Sequence, residues 1–255
     1  MAAINPGAFP QKMLWLIRYL GWYRALRICA AKPFEMVAKP FTDSEWFWRF
    51  TESQLDARYG IDTQDMVPVA ELDISNEQQE GAVFYEPSPV MEFGYVVSRL
   101  PVAYEDYAFV DLGSGKGRTL ILAGWFPFKS IVGVEISTKM HAIAQANIDR
   151  YRGPKRCNDV KSICADAGAC DFPSSPLVVF LFNPFHETVL ELFLANLHRS
   201  LQQNPRHVVL VYGSPKHREM IDGTEWLTPI GSELDGWYLI YETKTAKLAG
   251  DGVSS

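Results

Sequence analysis

The stretch Phe109-Val110-Asp111-Leu112-Gly113-Ser114-Gly115-Lys116-Gly117-Arg118-Thr119 constrains the fold more than any other part of the chain. It reads as a buried strand, a glycine-rich turn and the opening of a helix. Glycines at alternate positions let backbone approach a bound ligand closely, because no Cβ stands in the way. The helix that follows directs its unpaired N–H groups at that ligand. Glu135 ends the next strand of the pattern. A glycine turn with an acid on the neighbouring strand tip reads as a nucleoside-cofactor site.

From Tyr107 onward strands and helices alternate. Strands are predicted over 107–112, 130–136, 160–165, 177–182, 207–212 and 237–242, and helices over 117–125, 137–151 and 187–202. The runs Leu177–Phe182 and His207–Tyr212 are almost unbroken apolar stretches, as strands covered on both faces require. Such alternation builds a mostly parallel sheet with right-handed crossovers. Ligands there sit beyond the carboxyl ends of the strands, the edge that carries the glycine turn, Glu135, Asp166 and Asn183. Upstream, helices are predicted over 11–31 and 43–59, a turn-rich connection over 62–81, and a helix from Ser88-Pro89 to about Leu100 with Ser88 as its cap. The fold class expected is α/β. It is a Rossmann-like, seven-stranded, mostly parallel sheet with helices on both faces, plus a helical N-terminal extension over 1–84. The main domain spans 85–245, and a flexible tail covers 246–255.

The 255 residues are 47% hydrophobic and 21% charged, enough apolar side chain for a folded core. Charge is uneven. Residues 1–40 hold Lys12, Arg18, Arg24, Arg27, Lys32 and Lys39 against Glu35, a local balance of +5, so a net charge of −6 leaves −11 for the rest. An acidic body does not suit a nucleic-acid backbone, which is bound through clustered Lys and Arg. Cys29, Cys157, Cys164 and Cys170 form no C-x-x-C pair and have no histidine at ligand spacing, so neither a disulfide framework nor a metal site is expected. A cytoplasmic setting follows. The run 13–31 is interrupted by Arg18, Arg24 and Arg27, which argues against a signal peptide or a spanning helix. Trp15, Tyr19, Trp22 and Tyr23 among those arginines would suit a membrane surface. A helix docked on the domain or on a partner chain is the plainer reading, since Arg18 falls opposite the other charges.

Two cofactor classes compete for the glycine turn. Dinucleotide sites use G-x-G-x-x-G. Here the spacing Gly113-x-Gly115-x-Gly117 is one residue shorter, and Asp111 would be a poor neighbour for a pyrophosphate. An aspartate suits a cationic ligand such as S-adenosylmethionine. The phosphate-binding pattern G-x-x-x-x-G-K-[ST] fails at Gly117.

At these residues the chain resembles the class I S-adenosylmethionine-dependent methyltransferases. Asp111-Leu112-Gly113-Ser114-Gly115-Lys116-Gly117 is similar to their first motif, and Val132-Gly133-Val134-Glu135-Ile136 to their second. Cys164-Ala165-Asp166-Ala167 is similar to the third, and Phe182-Asn183-Pro184-Phe185 stands at the fourth. The resemblance implies that Asp111, Gly113, Ser114, Gly115 and Gly117 line the cofactor. It implies that Glu135 takes both ribose hydroxyls, that Asp166 accepts from the adenine amino group, and that Ile136 and Ala167 also bind the cofactor. Tyr85-Glu86-Pro87-Ser88-Pro89 resembles the segment that closes over the methionine end in lysine N-methyltransferases of this fold, including the non-SET histone-lysine type; this implicates Tyr85 and Ser88. A group of uncharacterised bacterial methyltransferases is similar through Tyr59-Gly60-Ile61-Asp62-Thr63 and Phe180–Phe185.

The reaction expected is methyl transfer to a nitrogen, with a protein lysine or another amine as acceptor. Asn183 is the catalytic candidate, through its side-chain oxygen or the adjacent carbonyl, and Tyr85 supplies a second hydroxyl. Asn183 would also touch the cofactor. A small-molecule O-methyltransferase is the alternative, with His186 the one nearby base. An NAD-dependent oxidoreductase and a non-catalytic cofactor-binding regulator stand behind it.

Overall fold

The computed structural model describes residues 54–75, 85–182 and 185–244. The helix expected over 11–31, most of that over 43–59, the tail and the catalytic candidate Asn183 lie outside the described residues. Seven strands form one sheet: β1 (Ala108–Leu112), β2 (Ser130–Glu135), β3 (Val160–Cys164), β4 (Leu177–Phe182), β5 (Val208–Gly213), β6 (Leu227–Glu233) and β7 (Tyr238–Thr243). Their order is β3-β2-β1-β4-β5-β7-β6. The first five are parallel, whereas β7 runs antiparallel to β5 and pairs with β6.

Alternate residues of the central strands point to opposite faces, and both faces are buried. Phe109, Val178, Phe180, Val209 and Val211 enter one core, while Ala108, Val110, Leu112, Leu177, Val179, Leu181, Val208, Leu210 and Tyr212 enter the other. The first face is covered by α1 (Val90–Val97) and α2 (Arg118–Ala123). Phe93 of α1 meets Phe180 and Phe109 edge-on at ring separations of 5.1 and 5.8 Å. Full burial of each such ring is worth roughly 1.5–3 kcal/mol. The second face is covered by α4 (Glu187–Gln203), through Leu190, Phe193, Leu194, Leu197 and Leu201. Helix α3 (Thr138–Arg150) follows β2, and α5 (Arg218–Asp222) follows β5.

Ser137 caps α3 as its sequence promised, its hydroxyl accepting the Met140 N–H at 3.1 Å. Ser88 does not cap α1. Pro89 is the cap, its carbonyl takes the Phe93 N–H at 2.9 Å, and the helix ends at Val97 instead of near Leu100. Strand β6 and helix α5 were not among the predicted elements. β6 carries Pro229 and Gly231 with a register shift between them, which a sheet tolerates at its edge.

Candidate functional site

The site begins where β1 and β2 end. Gly117, at φ +81°, is the left-handed cap that starts α2. Gly115, at φ +51°, lies beneath the ring of Tyr85: a Cβ there would stand 2.1 Å from the tyrosine Cε2. Only glycine meets both demands. The Tyr85 hydroxyl donates to the Thr63 carbonyl at 2.8 Å, and its backbone bridges Val67. Burial raises this phenol far above its ordinary range. Tyr85 therefore reaches the glycine turn with its ring, while its hydroxyl is engaged by main chain.

Two buried carboxyl groups face the same turn. Glu135 accepts the Gly115 N–H at 2.7 Å through Oε2 and the Ser137 N–H at 2.9 Å through Oε1. Burial raises its pKa, and these N–H donors partly offset the rise. A carboxylate offers about four acceptor positions, so roughly two remain for a vicinal diol. Asp111 takes a hydrogen bond from the Thr119 hydroxyl. Burial pushes its carboxyl up to about 7, with the neighbouring Glu135 adding to the rise. A carboxyl raised in this way is stabilised as an anion by any cation brought to it. Ser114 Oγ is buried with no hydrogen-bond partner among the described residues.

The other predicted residues fall on the same edge. Ile136 follows Glu135 directly. Asp166 is exposed just beyond β3, its Oδ1 accepting the Gly168 N–H at 2.7 Å, and Ala167 is buried. Ser88 is buried between Tyr85 and α1. Phe182 ends β4 beside Gly213 of β5.

Sequence reasoning passed over a layer that locks onto this turn. Lys116 is buried, and its Nζ reaches Asp62 Oδ1 at 2.8 Å. Asn147 of α3 accepts the Asp62 N–H at 2.9 Å and donates to the carbonyls of Asp62 and Lys116 at 2.6 and 2.9 Å. Arg118 Nε donates to Thr63 Oγ1 at 2.9 Å, and that hydroxyl in turn donates to Asp56 at 2.6 Å. Asp73 receives the hydroxyls of Ser137 and Thr138 and the Lys139 N–H at the start of α3. The available signal was the similarity at 59–63, which carried no stated chemistry.

Residues 109–204 match a family model described as a methyltransferase domain. With the sheet order and the two carboxylates at the strand tips, this makes the protein a class I S-adenosylmethionine-dependent methyltransferase whose cofactor is S-adenosylmethionine. Comparison with curated protein sequences finds no match. Among solved structures, a predicted N6-adenine-specific DNA methylase from Listeria monocytogenes is similar at TM-score 0.48 and 13% identity, over 62% of this chain and 51% of that one. An RNA methyltransferase from Salinibacter ruber, solved with S-adenosyl-L-homocysteine, is similar at 0.40 and 19%, over 62% and 92%. A ribosomal protein L11 methylase from Lactobacillus delbrueckii is similar at 0.44 and 14%, over 61% and 75%.

The residues present fit the cofactor. It carries an ammonium and a sulfonium for a raised carboxyl such as that of Asp111, and a ribose diol for the remaining acceptor positions of Glu135. Among the described residues, no helix is long and apolar enough to cross a membrane.

Proposed function

We propose that the enzyme methylates a nitrogen, with a protein lysine or another amine as acceptor. The observation that carries this reading is the charge at the edge where an acceptor would enter. Glu187 opens α4 directly after the 183–186 segment, and Glu219 lies in the first turn of α5. Their side chains are 71% and 67% exposed. Outside residues 1–40 the chain carries −11. Carboxylates here draw an ammonium group inward and repel phosphate, which argues against nucleic acid as acceptor.

In this reading Asp111 holds the cationic methionine end and Glu135 holds the ribose. Ser114 and the N–H groups of the 113–117 turn line the cofactor, with Ile136, Asp166 and Ala167 around the adenine. Tyr85 and Ser88 close the methionine side by packing on the turn. The cofactor supplies an electrophilic methyl on a sulfonium. The chain then has to align the acceptor lone pair with that methyl and keep water out, and alignment of this kind contributes about 7–11 kcal/mol. Asn183, next in sequence after Phe182, accepts an acceptor N–H and aims the lone pair. Residues 85–245 act as the catalytic domain, and residues 1–84 cap it or dock a partner or membrane surface. A cytoplasmic protein with peripheral contact through 11–31 is consistent with the interrupted apolar run there.

Incubating the full chain with methyl-tritiated S-adenosylmethionine and a cell lysate, then separating protein, lipid, nucleic acid and small molecules, tests the reading. Label in protein that hydrolyses to methyl-lysine is expected. Label confined to nucleic acid, or to methyl ethers and esters of small molecules, overturns it; the second result would establish the O-methyltransferase alternative.

A further inference from the structure

We infer that residues 67–73 form a strap over the carboxylate of Glu135, with Asp73 as the latch that retains the cofactor; this rests on the reading of Glu135 as the ribose acid. The strap is fixed at two points. At its start Val67 and Tyr85 exchange both backbone hydrogen bonds, at 3.1 and 2.9 Å, and the Tyr85 ring lies on Gly115. At its end Asp73 takes the hydroxyls of Ser137 and Thr138 and, at 3.1 Å, the Lys139 N–H. Gly115 and Ser137 are also the two residues that Glu135 joins, accepting one N–H on each carboxylate oxygen. A single carboxylate bridges them, so they lie close together, and the strap runs between the same two residues.

The length of the strap exceeds that gap. Six residues extended would reach about 20 Å. The surplus is taken up by a 3₁₀ turn over Val69–Glu71, where the Glu71 N–H donates to the Pro68 carbonyl at 2.9 Å and the Leu72 N–H to the Val69 carbonyl at 3.0 Å. None of these three residues is buried. The run therefore arches out from the carboxyl edge of the sheet, where ligands bind, instead of packing into the body of the protein. Glu135 ends β2 and is only 6% exposed. Ribose hydroxyls reach its remaining acceptor positions by passing beneath the arch.

The two fixed points differ in strength. Just upstream of Val67, Thr63 is fully buried: it takes Arg118 Nε at 2.9 Å, donates to Asp56 at 2.6 Å, and accepts the Tyr85 hydroxyl at 2.8 Å through its carbonyl. The Asp62 N–H and carbonyl are tied to Asn147. That end stays with the glycine turn. Asp73 is exposed, and water competes for its hydrogen bonds. The start of α3 favours a carboxylate, which selects where the latch closes without making it strong. The strap thus opens at Asp73 and pivots near Val67. Ser137 connects the latch to the site, since it gives its hydroxyl to Asp73 and its N–H to Glu135. Asp73 is a positioning residue: it acts on the ribose acid through Ser137 and touches no reacting atom.

Hydrogen exchange of the full chain, with and without saturating S-adenosylhomocysteine, tests the strap and needs no variant. Amides of residues 67–73 should slow at least about tenfold on binding, together with those of the 113–117 turn, as closure linked to a ligand requires. Asp73→Ala should release S-adenosylhomocysteine about fivefold faster than wild type, the scale of a lost set of exposed hydrogen bonds, while exchange in β4 and β5 is unchanged. A residue that only capped α3 would change the melting temperature and leave the release rate alone. Release by Asp73→Ala within about twofold of wild type therefore overturns the inference. So does protection of the 113–117 turn without protection of 67–73. Both results leave the cofactor site standing. If S-adenosylhomocysteine protects neither segment and Glu135→Ala binds it as wild type does, the reading of Glu135 itself fails, and this inference with it.

Discussion

At the scale of single residues, burial raises both carboxyl groups at the glycine turn. Asp111 sits at about 7 in the folded chain against an ordinary 3.8. Its contribution to stability is full below pH 4 and is lost as pH rises through 7, because the folded state binds the proton more tightly. The melting temperature of wild type should therefore fall, relative to Asp111→Asn, between pH 5 and 8. Cofactor binding runs the other way. The ionised form attracts the cationic ligand, so affinity should rise through pH 7 and a proton should be released, which calorimetry in buffers of different ionisation enthalpy measures. Asp111→Asn should abolish that pH dependence and weaken binding by roughly 1–3 kcal/mol, the range for hydrogen bonds to charged groups. Glu135→Ala should cost a similar amount; unaltered affinity would take Glu135 out of the site. Both acids were legible in the sequence because each ends a predicted strand. The partners of Tyr85 and His217 were not, since Thr63 and Glu187 lie 22 and 30 positions away with no pattern linking them.

Among the elements, α3 shows how local and distant signals divide the work. Its own Ser137 cap was readable. Its second acceptor, Asp73, comes from more than sixty residues upstream. The hydroxyls of Ser137 and Thr138 and the Lys139 N–H hold the Asp73 carboxyl down at about 2. That stabilisation is present above the ordinary aspartate range and is lost as pH falls through 2. Because Asp73 is exposed, solvent screens the interaction, and Asp73→Ala should cost about 1 kcal/mol or less. The difference in melting temperature between the two proteins should be steady from pH 5 to 8 and should vanish toward pH 2. Strand β6 went unread for a related reason. A proline and a glycine inside seven residues suppress the period-two signal, and only pairing with β7 holds the segment extended.

For the whole molecule, the consequential contact is the clamp between the upstream segment and the cofactor turn. Asn147 is buried and satisfies Asp62 at both its N–H and its carbonyl, while also holding the Lys116 carbonyl. Asn147→Ala leaves those groups to find other partners, at a cost of roughly 1–3 kcal/mol. Hydrogen exchange should then quicken across residues 54–63 and in the 113–117 turn together, while β4 and β5 keep their protection. Faster exchange in 54–63 alone would mean that the two segments are not coupled.

The sequence by itself determined that strands and helices alternate, that a glycine turn opens α2, and that acids stand at the ends of β1 and β2. These features are local: periodicity, turn chemistry and capping act over a few residues and leave their mark there. Only the tertiary structure decided that Tyr85 lies on Gly115, that Asp62 is tied to Lys116 and α3 and Asp73 to the start of α3, and that His217 meets Glu187. Those pairings depend on strand order and on loops returning from distant parts of the chain. Complementary side chains stabilise them only after the backbone has brought them together, so no short stretch of sequence carries their trace.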